Sequence, residues 1–461
     1  MERPRWYEMF KTLKNAWKVP DIRKKILFTL LILILFRLGA SIPVPFVSSE
    51  VTASFNSQYG GTVLGFMSVL SGGALAQATL FALSVNPYIT AQIVMQLLTI
   101  AIPPLEKMSK DEKGRKKIEE ITRYVSIALS AITAFGYTSL LESNGWLKYD
   151  AKVTPQWFVY LVIIFCFCAG ASIIMWLCEQ VDNKGIGNGV SMVLFANIIS
   201  RLPSMGVTLL GWAFPAFVSK FIYQQSNSTL KNFDGAGFAW ALVYFVCIVG
   251  LVVLSVWFTN SERRIPIQYA KRVVGRKMYG GQGTNLPIKM NMTGVMPIIF
   301  ASSIISVPAT IYAMFEKSAG WSTDHGFGLV IDKFFESDTW TYIVLYLVLL
   351  VAFSYFYTLI TFNPVEVSNN IRSNGGAIPG IRQGKPTSDF IKKILDRVTL
   401  IGAGFLGIVA CLPMFVSIFT SDMGNLAFGG SSLLIVVGVA LETIRTLEAQ
   451  LSMRNYKGFL G

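Results

Sequence analysis

The chain has 461 residues, 53% of them hydrophobic and only 14% charged, against roughly 25% charged in an average soluble domain. Forty Lys and Arg oppose 26 Asp and Glu, a formal charge of +14. A mean hydropathy of +0.52 and recurring apolar windows of about 20 residues exclude a soluble globular protein. No alternating segments of about ten residues suggest a β-barrel. The composition predicts an all-α polytopic membrane protein.

The N-terminal stretch MERPRWYEMFKTLKNAWKVPDIRKK is basic and partly amphipathic. No small-residue cleavage site follows the first apolar segment, which predicts a retained signal-anchor helix. Spanning helices are expected near 26–43, 75–101, 121–141, 156–178, 187–202, 239–259, 294–315, 340–362, 397–419 and 431–449. Ten spans place both termini on one side. With the N-terminus in the cytoplasm, and basic residues near span ends counted with the adjoining side, 32 of the forty are cytoplasmic, seven are outside, and Arg37 is left within a span. That bias sets the orientation.

From Leu38 to Glu106 there is no Lys or Arg. Within this run TVLGFMSVLSG, residues 62–72, has the length of two to three helical turns, roughly 16 Å at 1.5 Å per residue and about half a bilayer. Broken backbone at membrane depth is tolerated only inside protein or beside water. A short re-entrant helix dipping from the outside fits, and an interfacial helix on the outer leaflet is the alternative. Gly72-Gly73 then turns the chain into the second span. There Val85, Ile89 and Ile93 recur at i,i+4 as one aliphatic face, and Asn86-Pro87 is expected to loosen the helix beside it.

GIGNGVS at 185–191 lacks both the preceding strand and the following Lys-Ser/Thr of a nucleotide loop. A tight turn is expected instead, with Asn188 or Ser191 satisfying the free amides of the fifth helix. Arg37 near the outer end of helix 1, and Glu442, Arg445 and Glu448 near the inner end of helix 10, are the intramembrane charges. No carboxylate pair sits at the midplane, which argues against an ion-coupled carrier. The segments 260–293 and 363–396 are long, basic and patterned with Gly and Pro, and runs such as IPIQYAKRVV suggest ordered hairpins. They read as docking surfaces for an acidic or nucleic-acid partner, or as solvated loops carrying positive-inside charge.

Catalytic chemistry finds no foothold. The single histidine, His325, lies in a polar loop. Cys166, Cys168, Cys178, Cys247 and Cys411 lie in or beside apolar segments without a CxxC, and read as small packing residues. No HExxH, GxSxG or nucleotide site occurs, so neither an enzyme nor a cofactor is expected.

FRLGASIPVP, SGGALAQATLFAL, NPYITAQIVMQLLT, EQVDNKGIGNGVS, RRIPIQYAKR, LPIKMNMTGVMPIIFASS, FNPVEVSNN, IPGIRQGKPT and FGGSSLLIVVGVALE occur in that order from about residue 20 to 457. Together they resemble the bacterial SecY family, the large channel subunit of the protein-translocation machinery. The resemblance implies ten helices in two pseudo-symmetric halves, here 1–205 and 206–461, around an hourglass pore. It implies a pore ring at Val85, Ile89, Leu194, Ile299 and Ile435. It also implies a plug formed by Thr62, Val63, Leu64, Gly65, Phe66, Met67, Ser68, Val69, Leu70, Ser71 and Gly72. Helices 2 and 3 would face helices 7 and 8 as a lateral gate, with Asn291 at the gate end of helix 7. Arg263, Arg264, Lys271, Arg272 and Arg382 would dock partners on the cytoplasmic loops.

The implied partners are SecE- and SecG-like small membrane subunits, the SecA motor ATPase, the ribosome, signal sequences, unfolded preproteins and lipid. The implied location is the bacterial cytoplasmic membrane. The implied function is passage of unfolded secretory chains, with lateral release of apolar segments. A secondary transporter with broken helices is the rival reading.

Overall fold

The computed structural model describes residues 16–48, 50–59, 63–149, 154–214, 235–269, 272–274, 277–279, 283–319, 339–419 and 429–457. His325 falls outside them. Helix α1, Pro20–Gly39, starts on a proline, whose missing N–H costs nothing in a first turn. Two short helices follow, α2 Val51–Tyr59 and α3 Val63–Leu70. The sequence reading had no counterpart for α2.

The expected helix 75–101 is corrected. Residues 71–85 form a buried connector of successive turns, and α4 runs only from Asn86 to Ala101. Positive φ at Gly72, Gly73, Ala78 and Ser84 removes these residues from the right-handed helical region. Pro87 therefore lies in the first turn of α4, where it initiates the helix instead of loosening it. Ile102 is extended (φ −110°, ψ 109°), as a residue before proline prefers, and α5, Pro103–Lys110, leaves α4 at 106°.

Helix α6 is Glu112–Ser143, α7 Gln156–Lys184, α8 Gly189–Ala213 and α9 Gly235–Thr259. The expected short fifth span is thus a long helix, and a boundary at 205/206 falls inside it. The GIGNGVS turn draws on both near and distant acceptors, the Ile186 amide donating to Thr29 Oγ1 on α1 at 3.1 Å. Asn188 Oδ1 accepts from the Ser191 amide at 3.2 Å, and Asp182 Oδ1 from the Gly189 amide at 2.7 Å.

Four strands come next: β1 Glu262–Tyr269, β2 Arg272–Val274, β3 Lys277–Tyr279 and β4 Gly283–Lys289. They are followed by α10 Met296–Ala319, α11 Trp340–Thr361, α12 Pro364–Ser373, β5 Gly376–Ala377, α13 Lys385–Phe419 and α14 Gly429–Lys457. The fold is therefore helical within the membrane and carries a small β layer outside it.

Among the described residues, six helical segments are long and apolar enough to cross a membrane, and seven if α4 and α5 count as one bent span. The expected spans 26–43, 294–315 and 431–449 correspond to α1, α10 and α14. Neighbouring helices pack in sequence, and the two ends of the chain meet along two seams. At one, α8 lies against α9 and α14; at the other, α10 lies against α6 and α4. The largest buried apolar cluster crosses both seams, from Phe36, Ile89 and Leu194 to Ile299, Tyr346 and Ile435. Three buried hydroxyls are satisfied within their own helices: Thr138 donates to Ala134 O, Ser354 to Leu350 O and Thr358 to Ser354 O. Arg445 does more than snorkel, since its Nη2 donates to Thr259 O at 2.8 Å and caps α9 from α14.

Candidate functional site

Val85 is the last connector residue, and Ile89 sits one turn later, its amide donating to Val85 O at 3.0 Å. Leu194 comes from α8, Ile299 from the first turn of α10 and Ile435 from α14. All five are at most 4% exposed and belong to one continuous apolar cluster with Ile93, Val193 and Ile198. One branched aliphatic from each of four helices on both sides of the two seams is what a closable constriction requires. Such groups give an ion nothing to replace its hydration shell.

Helix α3 occupies most of the expected plug range. Ser71 and Gly72 lie in the turn beyond it, and Thr62 lies outside the described residues. The helix packs against α8 on one side and α10 on the other, so it bridges the two parts of the chain. Leu64, Gly65, Ser68 and Leu70 are buried, and Met67 and Val69 are half-buried. Val63 and Phe66 are helical positions within it. Thr310 Oγ1 on α10 donates to Met67 Sδ at 2.9 Å. The last turn continues into the connector through Ser71, whose hydroxyl donates to Ser68 O at 3.0 Å and accepts from the Leu75 amide at 3.1 Å.

Two residues outside the expected site hold this end. Asn197 Nδ2 on α8 donates to Leu70 O at 2.8 Å and to Ser84 Oγ at 3.3 Å. Arg37 Nη1 donates to Gly72 O at 3.3 Å. Their sequence signals were weak but real: a lone cation in the first span and a lone amide in an apolar helix.

The seam of α10 with α4 and α6 encloses a cavity of about 80 Å³ lined by Leu64, Met67, Pro87, Thr133, Ser306 and Thr310. It touches α3, so a segment entering the seam would meet the short helix. Asn291 does not line this cavity; it lies just before α10 begins at Met296. It precedes α10 and faces Ser354, Thr358 and Thr399 of α11 and α13 in a separate small pocket. The chain turns at Gly294 before α10 begins at Met296.

The two basic loops form one body instead of two independent hairpins. Strands β1 and β4 pair antiparallel from Glu262↔Lys289 to Gln268↔Gly283. The second loop is α12, β5 and the start of α13, and β5 extends the sheet through Gln268↔Ala377 and Tyr269↔Gly376. Ile265, Ile267, Ile288, Ile371, Ile378, Ile391 and Leu395 form its core. Alternation along β1 turns its isoleucines inward and leaves Arg264 outside, where it pairs with Glu262 at 2.7 Å. Arg263 and Arg382 are exposed and make no ion pair among the described residues. Arg272 lies on β2, and Lys271 lies outside the described residues.

Several apolar spans, a buried aliphatic cluster shared by four helices, and a short helix set between two seams define a polytopic membrane channel. The SecY family model matches residues 79–444. The protein translocase subunit SecY of Streptomyces griseus is 40% identical over 98% of this chain and 100% of its own length. A solved protein-conducting channel superposes with a TM-score of 0.61 at 18% identity, covering 95% of this chain and 96% of that one. Sec61 from a canine ribosome–channel complex superposes at 0.56 with 16% identity, over 95% of this chain and 96% of its own. The chain belongs to the SecY family. It is a multi-pass channel subunit of the protein translocase, neither an enzyme nor a small-solute carrier.

Proposed function

We propose that unfolded secretory polypeptides cross the membrane through the aliphatic cluster of Val85, Ile89, Leu194, Ile299 and Ile435, with α3 as its plug, and that apolar signal and transmembrane segments leave sideways between α10 and the pair α4/α6. The observation that carries this reading is the meeting of five buried aliphatics, one from the connector and four from separate helices, beside a short helix wedged between both parts of the chain. Flexible aliphatic side chains part for a polypeptide without needing a specific partner. An apolar segment that reaches the seam gains about 25 cal/mol per Å² on leaving water for lipid.

The halves 1–205 and 206–461 would move about the α8–α9 side, with the division shifted toward Ala213. The location is the bacterial cytoplasmic membrane with both termini in the cytoplasm, supported by the charge bias. SecE- and SecG-like subunits would cover the lipid-facing helices. The SecA motor or the ribosome would dock on the joined basic body through Arg263, Arg264, Lys271, Arg272 and Arg382. Asn291 would stand at the gate end of α10 in this scheme.

The test is export of a secretory precursor into vesicles carrying the chain with its native subunits. A precursor bearing a bulky folded domain should jam it, and a cysteine at Ile89 should then cross-link to the arrested chain. Cross-linking confined to lipid-facing positions such as Leu31 would place the path elsewhere.

A further inference from the structure

Asn197 stands alone as an amide on an otherwise apolar stretch of α8, and its side chain is fully buried. Its two donated hydrogen bonds go to opposite ends of the connector: Leu70 O, the last carbonyl of α3, and Ser84 Oγ, just before α4. One side chain therefore ties the plug's exit and the pore helix's entry to the same point on α8. The attachment is crowded. A Cβ at Gly72 would stand 2.9 Å from Asn197 Oδ1, 3.1 Å from Ser200 Oγ and 3.2 Å from Arg37 Nη1, and Gly72 has φ +67°.

The same attachment is incomplete. Asn197 Oδ1 and Ser68 Oγ are buried without a hydrogen-bond partner among the described residues. Ala78 and Ser84 hold positive φ without being glycine. Orphaned polar atoms and left-handed non-glycine backbone store strain that displacement would release. Arg37 adds a cation at the C-terminal end of α3, where the helix dipole favours it.

We propose that Asn197 is the latch of the plug: its side-chain amide holds α3 in place against α8, and opening requires those hydrogen bonds to break. Asn197 is a positioning residue, and the inference rests on α3 being the plug. Losing two ordinary hydrogen bonds shifts a closed-to-open equilibrium by roughly tenfold. Asn197→Leu, nearly isosteric and without a donor, should therefore raise resting ion conductance about tenfold.

The experiment reconstitutes the chain with its native subunits in liposomes and measures resting conductance at matched abundance. The variants are Asn197→Leu, Asn197→Gln, Ser204→Ala and a deletion of 63–70. Ser204 is an exposed control on the same helix. Leak in Asn197→Leu and in the deletion, with tight channels for Ser204→Ala and partial resealing in Asn197→Gln, is the expected result. Leak in the deletion but not in Asn197→Leu would overturn the latch and leave the plug intact as a reading. Leak in neither would overturn the plug reading itself. Should Asn197→Leu fail to assemble, Asn197→Ala, which removes the donor without adding bulk, decides by the same rule.

Discussion

Gly170 on α7 lies against the carbonyl of Leu80 so closely that there is no room for a methyl group between them. The contact pins the connector to the wall of the N-terminal part. It acts with Leu80 N, which donates to Ile42 O at 2.9 Å, and with Tyr137 OH, which donates to Leu75 O at 2.5 Å. Gly170→Ala should lower stability by about 2–3 kcal/mol through overpacking against rigid backbone. Gly206→Ala on α8, where nothing lies within 4 Å of the added carbon, should be neutral or gain about 0.5–1 kcal/mol in helix propensity. Thermal unfolding of the two purified variants measures the contrast. Equal midpoints would mean that the connector is free to move away.

The aliphatic cluster should lose its seal when made wettable. Ile89→Ser, Ile299→Ser and Ile435→Ser combined should raise resting conductance by at least tenfold in liposomes. Replacement by Val at the same positions should leave the channel tight, because volume falls slightly but no hydration partner appears. A tight triple-Ser channel would place the constriction at other residues.

Orientation is testable on exposed positions of the described chain. Lys148, after α6, and Lys392, in the first turns of α13, are both exposed. Cysteines placed there should react with an impermeant maleimide from opposite sides of the membrane. The loop carrying Asn227, expected outside, lies beyond the described residues, so Lys148 is the better outer probe. Labelling of both positions from one side would break the ten-span order.

Arg123 on α6 and Glu179 on α7 pair at 2.6 Å, with side-chain exposures of 44% and 19%. A double-mutant cycle with Arg123→Gln and Glu179→Gln should give a coupling of about 1 kcal/mol or less, reduced by salt. A coupling of several kcal/mol would mean that the pair is shielded by a further subunit.

What could be read in advance follows from which forces act locally. The Gly72-Gly73 break marked the end of α3 and Asn188 marked the start of α8, because each is a property of a short stretch. The connector was invisible. Ala74, Leu75, Ala76, Ala82 and Leu83 have the composition of a spanning helix, and only partners far away in sequence (Ile42, Tyr137, Gly170) hold them out of one. Helix α13 was read as starting near residue 397, although it begins at Lys385, because its first turns are polar and periodicity there serves the core that Ile391 and Leu395 share with the basic loops. Strand β5 is two residues long and exists only because β1 offers an edge. Asn197 carries no neighbouring motif, so only its two partners reveal what it does.

The joined basic body gives Arg382 a defined stage. The IPGIRQGKP tip is held by Gln383 Nε2 donating to Gly376 O at 3.0 Å, Thr387 Oγ1 to Arg382 O at 2.8 Å and Ser368 Oγ to Gly384 O at 2.9 Å. Left-handed Gly380 (φ +79°) and Gly384 (φ +92°) bracket it. A guanidinium on so constrained a turn loses little entropy on meeting a partner carboxylate or phosphate, and its planar fork suits either. Arg372, exposed at the end of α12 in the same loop, has the same charge without that setting. If positive-inside charge were the whole role, Arg382→Glu and Arg372→Glu would be equally mild. Docking predicts instead that Arg382→Glu lowers precursor export by at least tenfold at matched channel abundance while Arg372→Glu changes it less than twofold. Arg382→Lys should fall between them, because an ammonium keeps the charge but not the fork. Export into vesicles driven by the motor and by translating ribosomes, measured separately, then shows which partner uses the tip. Equal export by Arg382→Glu and Arg372→Glu in both systems would remove any special part for this arginine.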